Sequence, residues 1–65
     1  MNAKEMVMQA AVYVPSDDCE SIRIIARGDT YFCGEGEETG ESYHIGYDEV
    51  DLEACLLYKF VLLNP

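Results

Sequence analysis

Cysteine and histidine are the side chains of this 65-residue chain whose types suit nucleophilic catalysis. Cys33, His44 and Asp48 form the one candidate set, because the chain has a single histidine and a β-hairpin would bring Cys33 close to His44. A reactive thiol needs a cationic or helix-N-terminal environment that lowers its pKa. The segment around Cys33 is instead strongly acidic, the opposite of that environment. The sequence therefore predicts no catalytic residue and a protein that is not an enzyme.

Metal binding is the second chemistry to test. Hard cations such as Ca²⁺ take six or more oxygen ligands, and the acidic segment 48–53 is dense enough in carboxylates to attract them. That segment lacks the loop glycine of an EF-hand. Zinc needs four Cys or His ligands at short spacings, whereas Cys19, Cys33 and Cys55 are far apart and only one histidine is present. We therefore expect no metal site and no cofactor.

The distribution of charge is the most informative feature of the sequence. Thirteen acids and four bases give a net charge of −9, and all four bases lie outside the segment between Gly28 and Tyr58, which contains nine acids. Phosphate binding needs a basic patch, so nucleic acid is not the expected ligand. A basic protein partner suits this field better. The predicted partner-binding residues are Glu35, Glu37, Glu38, Glu41, Asp48, Glu49, Asp51 and Glu53.

Compartment follows from cysteine usage and from hydropathy. The three cysteines are odd in number and show no CxxC spacing, which favours free thiols in a reducing compartment. Met1 to Val14 lacks the apolar core of a signal peptide, and the apolar stretch near the end is interrupted by Lys59 and too short for a membrane span. We expect a cytoplasmic monomer with no membrane partner, folded as one compact domain over residues 1–65.

Two hypotheses compete for each element that must position these residues in the first half of the chain. Met6 to Val14 alternates as a strand, although Asn2 and Glu5 resemble a helix-capping box. The run Ser16-Asp17-Asp18 and the glycine at Gly28 are typical helix ends, so a helix from Asp17 to Arg27 is favoured. The competing hypothesis is a hairpin strand in which Ile22, Ile24 and Ala26 alternate before a turn at Gly28-Asp29.

The second half of the chain has a clearer pattern. Thr30 to Gly34 and Ser42 to Tyr47 are rich in β-formers and flank a loop of glycine and glutamate, so they predict an antiparallel hairpin with an acidic tip. After Asp48, apolar residues recur at helical spacing from Leu52 to Leu63. The alternative is a short helix from Leu52 to Leu57 followed by a final strand from Tyr58 to Leu63. The predicted fold class is α+β, an antiparallel sheet of about three strands with one or two helices packed on one face.

The spacing of the acids allows one further comparison. If Glu35 and Glu37 lie in extended chain, their side chains are about 6.6–6.8 Å apart on one face. One DNA strand presents a phosphate about every 3.4 Å along its axis, so two phosphate steps have a similar length. The acids would then produce a field like that of a phosphate backbone.

A compact acidic chain with a Glu-rich hairpin tip, Gly34 to Glu41, and a second acidic cluster, Asp48 to Glu53, resembles the small phage-encoded inhibitors that mimic DNA. The anti-CRISPR proteins directed at type I surveillance complexes are the group it resembles most in size and charge layout. That resemblance implies an inhibitor that occupies a basic DNA-contacting surface of a Cas subunit and blocks target DNA. The alternative is a small cytoplasmic interaction or regulatory module whose acidity serves only solubility.

Overall fold

The computed structural model describes residues 2–16, 18–50 and 59–63, which form one helix, five strands and one 3₁₀ helix. Helix α1 spans Ala3–Met8, followed by strand β1 at Ala10–Tyr13 and strand β2 at Ile22–Arg27. Strands β3 (Tyr31–Gly36) and β4 (Ser42–Gly46) come next, and a 3₁₀ helix covers Tyr47–Glu49. Strand β5 spans Phe60–Leu62.

The strands form a single antiparallel sheet in the order β4-β3-β2-β1-β5. The predicted fold class, a three-stranded sheet with one or two packed helices, is therefore wrong for the described residues. Three segments account for the difference. Residues 22–27, assigned to a helix, form strand β2. Residues 6–14, assigned to one strand, are divided between α1 and β1. Residues 60–62, within the helical pattern predicted after Asp48, form strand β5.

The segment predicted as a helix from Asp17 to Arg27 contains strand β2 instead. Its burial alternates, with Ile22 and Ile24 buried and Arg23 and Ile25 exposed, as expected for a strand with one covered face. The β-branched isoleucines lose rotamer freedom in a helix but pack well in a sheet. Their pattern therefore prevails over the helix-capping residues at either end, and the strand of the hairpin hypothesis is confirmed. Two of its details are wrong. Ala26 is exposed after a register shift between Ile24 and Ala26, and the hydrogen bond from the Gly28 N–H to the Tyr31 carbonyl places Asp29 and Thr30 in the turn.

The N-terminal segment Met6 to Val14, predicted as one strand, is divided between α1 and β1. The Asn2 side chain caps α1 by accepting a hydrogen bond from the Glu5 backbone N–H at 2.9 Å. Arg27 reaches the other end of the helix, where its guanidinium donates to the carbonyls of Val7 at 2.9 Å and Ala10 at 2.7 Å. The capping pattern at Asn2 and Glu5, weighed as the competing hypothesis, thus indicated the correct element for residues 3–8.

The hairpin predicted from Thr30 to Tyr47 is confirmed as β3 and β4, with Phe32 opposite Ile45 and Cys33 opposite His44.

Gly34 lies on the covered face of β3. A Cβ there would come within 2.5 Å of the Ile22 side chain and 2.6 Å of the Arg23 carbonyl oxygen. Only glycine allows β2 and β3 to approach this closely.

The core lies on the sheet face that α1 covers. Phe32, Ile22 and Val7 are the largest side chains that are fully buried, and Tyr13 packs edge-on against Phe32 with ring centroids 5.6 Å apart. Phe60 of β5 is also buried. The end of the chain therefore contributes to the core as a strand within the predicted range Tyr58 to Leu63. The helical pattern predicted from Leu52 to Leu63 is wrong for residues 60–62, and its positions 52–57 lie outside the described residues.

Candidate functional site

The hairpin of β3 and β4 separates the predicted acidic residues into two groups. Glu35, Glu37, Glu38 and Glu41 lie at its tip, where the last three are exposed. Asp48 and Glu49 are exposed in the 3₁₀ helix beyond β4, at the opposite end of the hairpin. The length of β4 separates the two groups by roughly 13 Å along the strand. Asp51 and Glu53 lie outside the described residues.

The tip is a turn and not extended chain. The Gly40 N–H donates to the Gly36 carbonyl at 2.9 Å, and the Gly36 N–H donates to the Glu41 carbonyl at 2.9 Å. Gly40 has φ of 74°, in the left-handed region that favours glycine. The phosphate-like spacing of Glu35 and Glu37 required both residues to lie in extended chain. Glu37 lies in the turn, so that requirement is not met. The tip is a compact acidic turn, so its carboxylates do not reproduce the regular spacing of phosphates along a DNA strand.

The turn is held in place by Glu20, a residue that was not among the predicted site residues. One carboxylate oxygen of Glu20 accepts hydrogen bonds from the backbone N–H groups of Glu38 and Thr39, each at 3.0 Å. The other accepts from the hydroxyls of Thr39 at 2.5 Å and Tyr43 at 2.7 Å. Thr39 Oγ1 in turn accepts from the Glu41 N–H at 3.1 Å. Glu20 thus connects the segment before β2 with the acidic turn and with β4.

These hydrogen bonds keep Glu20 ionised. The donors from Thr39 make the largest contribution, and together with Tyr43 they lower the pKa of Glu20 to about 2. The same hydrogen bond changes the pKa of Tyr43 in the opposite direction, because only the neutral phenol can donate it. The hydrogen bond to Glu20 raises the pKa of Tyr43 to about 12. Glu20 therefore adds a permanent negative charge next to the four predicted glutamates at physiological pH.

Glu35 is the one acidic residue of the tip with a cationic partner among the described residues. Arg23 on β2 lies directly opposite it, and the guanidinium approaches the carboxylate to 3.2 Å. Both side chains are partly exposed, so solvent screens the pair and its contribution to stability is small. The carboxylates of Glu37, Glu38 and Glu41 face solvent without a described cationic partner.

The set tested for catalysis has a different arrangement. Cys33 and His44 are opposite each other on β3 and β4, so the hairpin does bring them onto one sheet face. The His44 ring packs on Tyr31, with ring centroids 4.1 Å apart. No hydrogen bond among those of the described residues joins Cys33, His44 and Asp48. Within residues 2–16, 18–50 and 59–63, no group of three or more potential ligands is arranged for a metal ion.

No family model, curated protein or solved structure matches this chain. None of the helices in the described part of the chain has the length and apolar character needed to cross a membrane.

The acidic tip itself was visible in the sequence, because glycine and glutamate alternate between two runs of β-formers. The role of Glu20 was not visible. In the helix predicted from Asp17, Glu20 belonged to the first turn and would point to solvent. Only the pairing of β2 with β3, which places Ile22 opposite Gly36, brings Glu20 beside the turn. A carboxylate two residues before an alternating strand is too common a pattern to indicate this.

Proposed function

We propose that this chain is an acidic, non-enzymatic inhibitor that binds the basic surface of a nucleic-acid-binding protein through its hairpin tip and excludes nucleic acid. The observation that carries the proposal is the turn held by Glu20, which presents the carboxylates of Glu37, Glu38 and Glu41 to solvent. A turn already ordered by four hydrogen bonds to one carboxylate loses little further conformational entropy on binding, which favours affinity.

Charge supports the same proposal. A net charge of −9 and a tip without a free cation among the described residues attract a basic surface over long distance and speed association. Asp48 and Glu49, at the other end of the hairpin, contribute to this field and do not belong to the same contact patch. In the specific form suggested by the resemblance, the partner is a Cas subunit of a type I surveillance complex in the cytoplasm of the host cell.

A second candidate function is supported by the sheet face opposite the core. The paired rings of Tyr31 and His44 lie there, and Tyr31, Ile25 and Val61 are exposed. An interaction module that binds through this face would use its acidity only for solubility. Its partner would be retained regardless of salt and of added DNA.

The test is capture of partners from a lysate of the cell that carries the gene, with the immobilised chain, a salt gradient and displacement by duplex DNA. The inhibitor predicts a nucleic-acid-binding protein that is released by salt and by DNA. Replacing Glu37→Lys and Glu41→Lys together should then weaken binding about tenfold or more. Neither side chain forms a described hydrogen bond, so the fold should be retained.

The matched control is the pair Asp29→Lys and Asp48→Lys. It changes the net charge by the same amount, at the opposite end of the hairpin. If the two pairs weaken binding equally, the tip is not the contact surface. If both leave binding unchanged while the melting curves show folded protein, the acidic residues do not bind the partner.

A further inference from the structure

A groove runs beside the acidic turn on the side of Glu20. Its volume is about 560 Å³, within the range of sites that take small ligands or side chains. Its apolar floor is formed by the half-buried side chains of Tyr43 and Ile45, with the fully buried Ile22 beneath them. Carboxylates stand at its rim, and no lysine or arginine is among the described residues that line it; the rim residues are Asp18, Glu20 and Glu38.

The chemistry of the groove specifies its occupant. An apolar floor stabilises a hydrocarbon stem, and an acidic rim stabilises a positive charge at the end of that stem. Glu20 is already engaged by four donors, whereas Asp18 and Glu38 are exposed and form no described salt bridge. Those two carboxylates are therefore available to a cation from outside.

We infer that this groove receives an arginine side chain of the basic partner, with the stem over Tyr43 and Ile45 and the guanidinium between Asp18 and Glu38. Arginine fits better than lysine for two reasons. Its planar guanidinium pairs with a carboxylate through two hydrogen bonds and stacks on an aromatic ring such as Tyr43. Its stem covers apolar surface while its charge stays at the rim.

This inference rests on the proposed function, because proteins that contact nucleic-acid phosphates present arginine and lysine on that surface. It adds a specific element to a general attraction of opposite charges. The tip glutamates outside the groove, such as Glu37 and Glu41, attract the partner, and the groove selects how it is oriented.

The test is titration of the ¹⁵N-labelled chain with N-acetyl-arginine amide at low salt, followed by amide chemical shifts. The analogous amides of lysine and norleucine serve as comparison probes. We expect saturable shifts centred on the amides of Cys19, Glu20, Thr39 and Tyr43. We expect binding of the arginine amide to be about threefold tighter than that of the lysine amide, with no saturation by the norleucine amide.

Two double variants separate the groove from general electrostatics. Asp18→Asn with Glu38→Gln should weaken binding of the arginine amide about fivefold. Asp29→Asn with Asp48→Asn makes the same change in net charge outside the groove and should leave the dissociation constant within about twofold. Equal weakening by both pairs would overturn the inference, as would equal affinity for the lysine or norleucine amide or shifts spread evenly over the surface.

Failure of this inference can be distinguished from failure of the proposed function. The partner-capture experiment depends on Glu37 and Glu41, which do not line the groove. If capture is sensitive to salt, DNA and those two residues while the arginine amide shows no preference for the groove, the function stands and the arginine site does not. If the arginine amide binds in the groove while capture fails, the proposed function is wrong.

Discussion

The carboxylate of Glu20 determines the conformation of the acidic turn. It accepts from two backbone N–H groups and two hydroxyls, all within 3.0 Å, and its side chain fills the space that a Cβ at Gly36 would require. A like-charged loop would otherwise tend to open, because its glutamates repel one another. Here the half-buried Glu20 supplies the acceptor that the turn needs, and Glu37, Glu38 and Glu41 are left to face solvent.

Glu20→Gln should destabilise the chain at neutral pH, because an amide has only one acceptor atom and its N–H₂ group would face other donors. The pKa of Glu20 is lowered to about 2 from an ordinary value of 4.5. The stabilisation by its ionised form is therefore fully present above the unfolded-state pKa and is lost as pH falls through the folded-state pKa. The melting temperature of the variant should lie below that of the wild type at pH 7, with the difference closing between about pH 4.5 and pH 2.

Glu37→Gln is the matched control for this prediction. It also removes one negative charge, from the turn that Glu20 contacts, and the Glu37 side chain accepts no described hydrogen bond. Its melting temperature should stay near that of the wild type at pH 7, or rise slightly as repulsion decreases. A pH-independent difference between Glu20→Gln and the wild type would show that the carboxylate is not the acceptor that holds the turn.

At the level of elements, α1 depends on interactions at its two ends. A six-residue helix is too short to be stable alone, since isolated helices shorter than about 12 residues are marginal in water. Asn2 caps its N-terminus, and Arg27 of β2 binds carbonyls at and beyond its C-terminus. The arginine thereby ties the helix to the sheet at the point where the chain turns into β1.

Arg27→Lys should loosen α1, because an ammonium group cannot reproduce two hydrogen bonds from one planar guanidinium. We expect a loss of about 1–2 kcal/mol in the free energy of unfolding. Amide hydrogen exchange should accelerate in Ala3–Met8 more than in β3 and β4. Arg23→Lys, in a solvent-exposed ion pair, should cost about 0.5 kcal/mol or less. Equal costs for the two variants would mean that Arg27 does not secure the helix.

The elements also show what a single sequence can and cannot specify. The hairpin of β3 and β4 was predictable because its pairing is local and its turn is marked by glycine. Strand β2 was not, because Ser16, Asp18 and Gly28 satisfy the local rules for helix ends. Its strand conformation depends on pairing with both β1 and β3, and those contacts are set by the whole sheet. The role of Glu20 was hidden for the same reason.

At the level of the whole molecule, the net charge of −9 has opposite effects on folding and on binding. Repulsion among 13 acids balanced by only four bases destabilises the compact state. The same excess of negative charge draws in a basic partner. Salt weakens both effects, since the Debye length falls from about 30 Å at 0.01 M to about 3 Å at 1 M.

Raising NaCl from about 10 mM to about 500 mM should therefore increase the melting temperature of the free chain and decrease its affinity for the partner. Each 1 kcal/mol of relieved repulsion corresponds to about 4–8 °C for a domain of this size. NaCl is the appropriate salt, because sulfate strengthens hydrophobic burial by exclusion from the protein surface.

The variant Asp29→Asn with Asp48→Asn carries less negative charge, so its melting temperature should respond less steeply to NaCl. A chain whose stability does not change with NaCl, or changes as steeply in that variant, would show that the fold already compensates its acidic surface. The charge would then act in association alone.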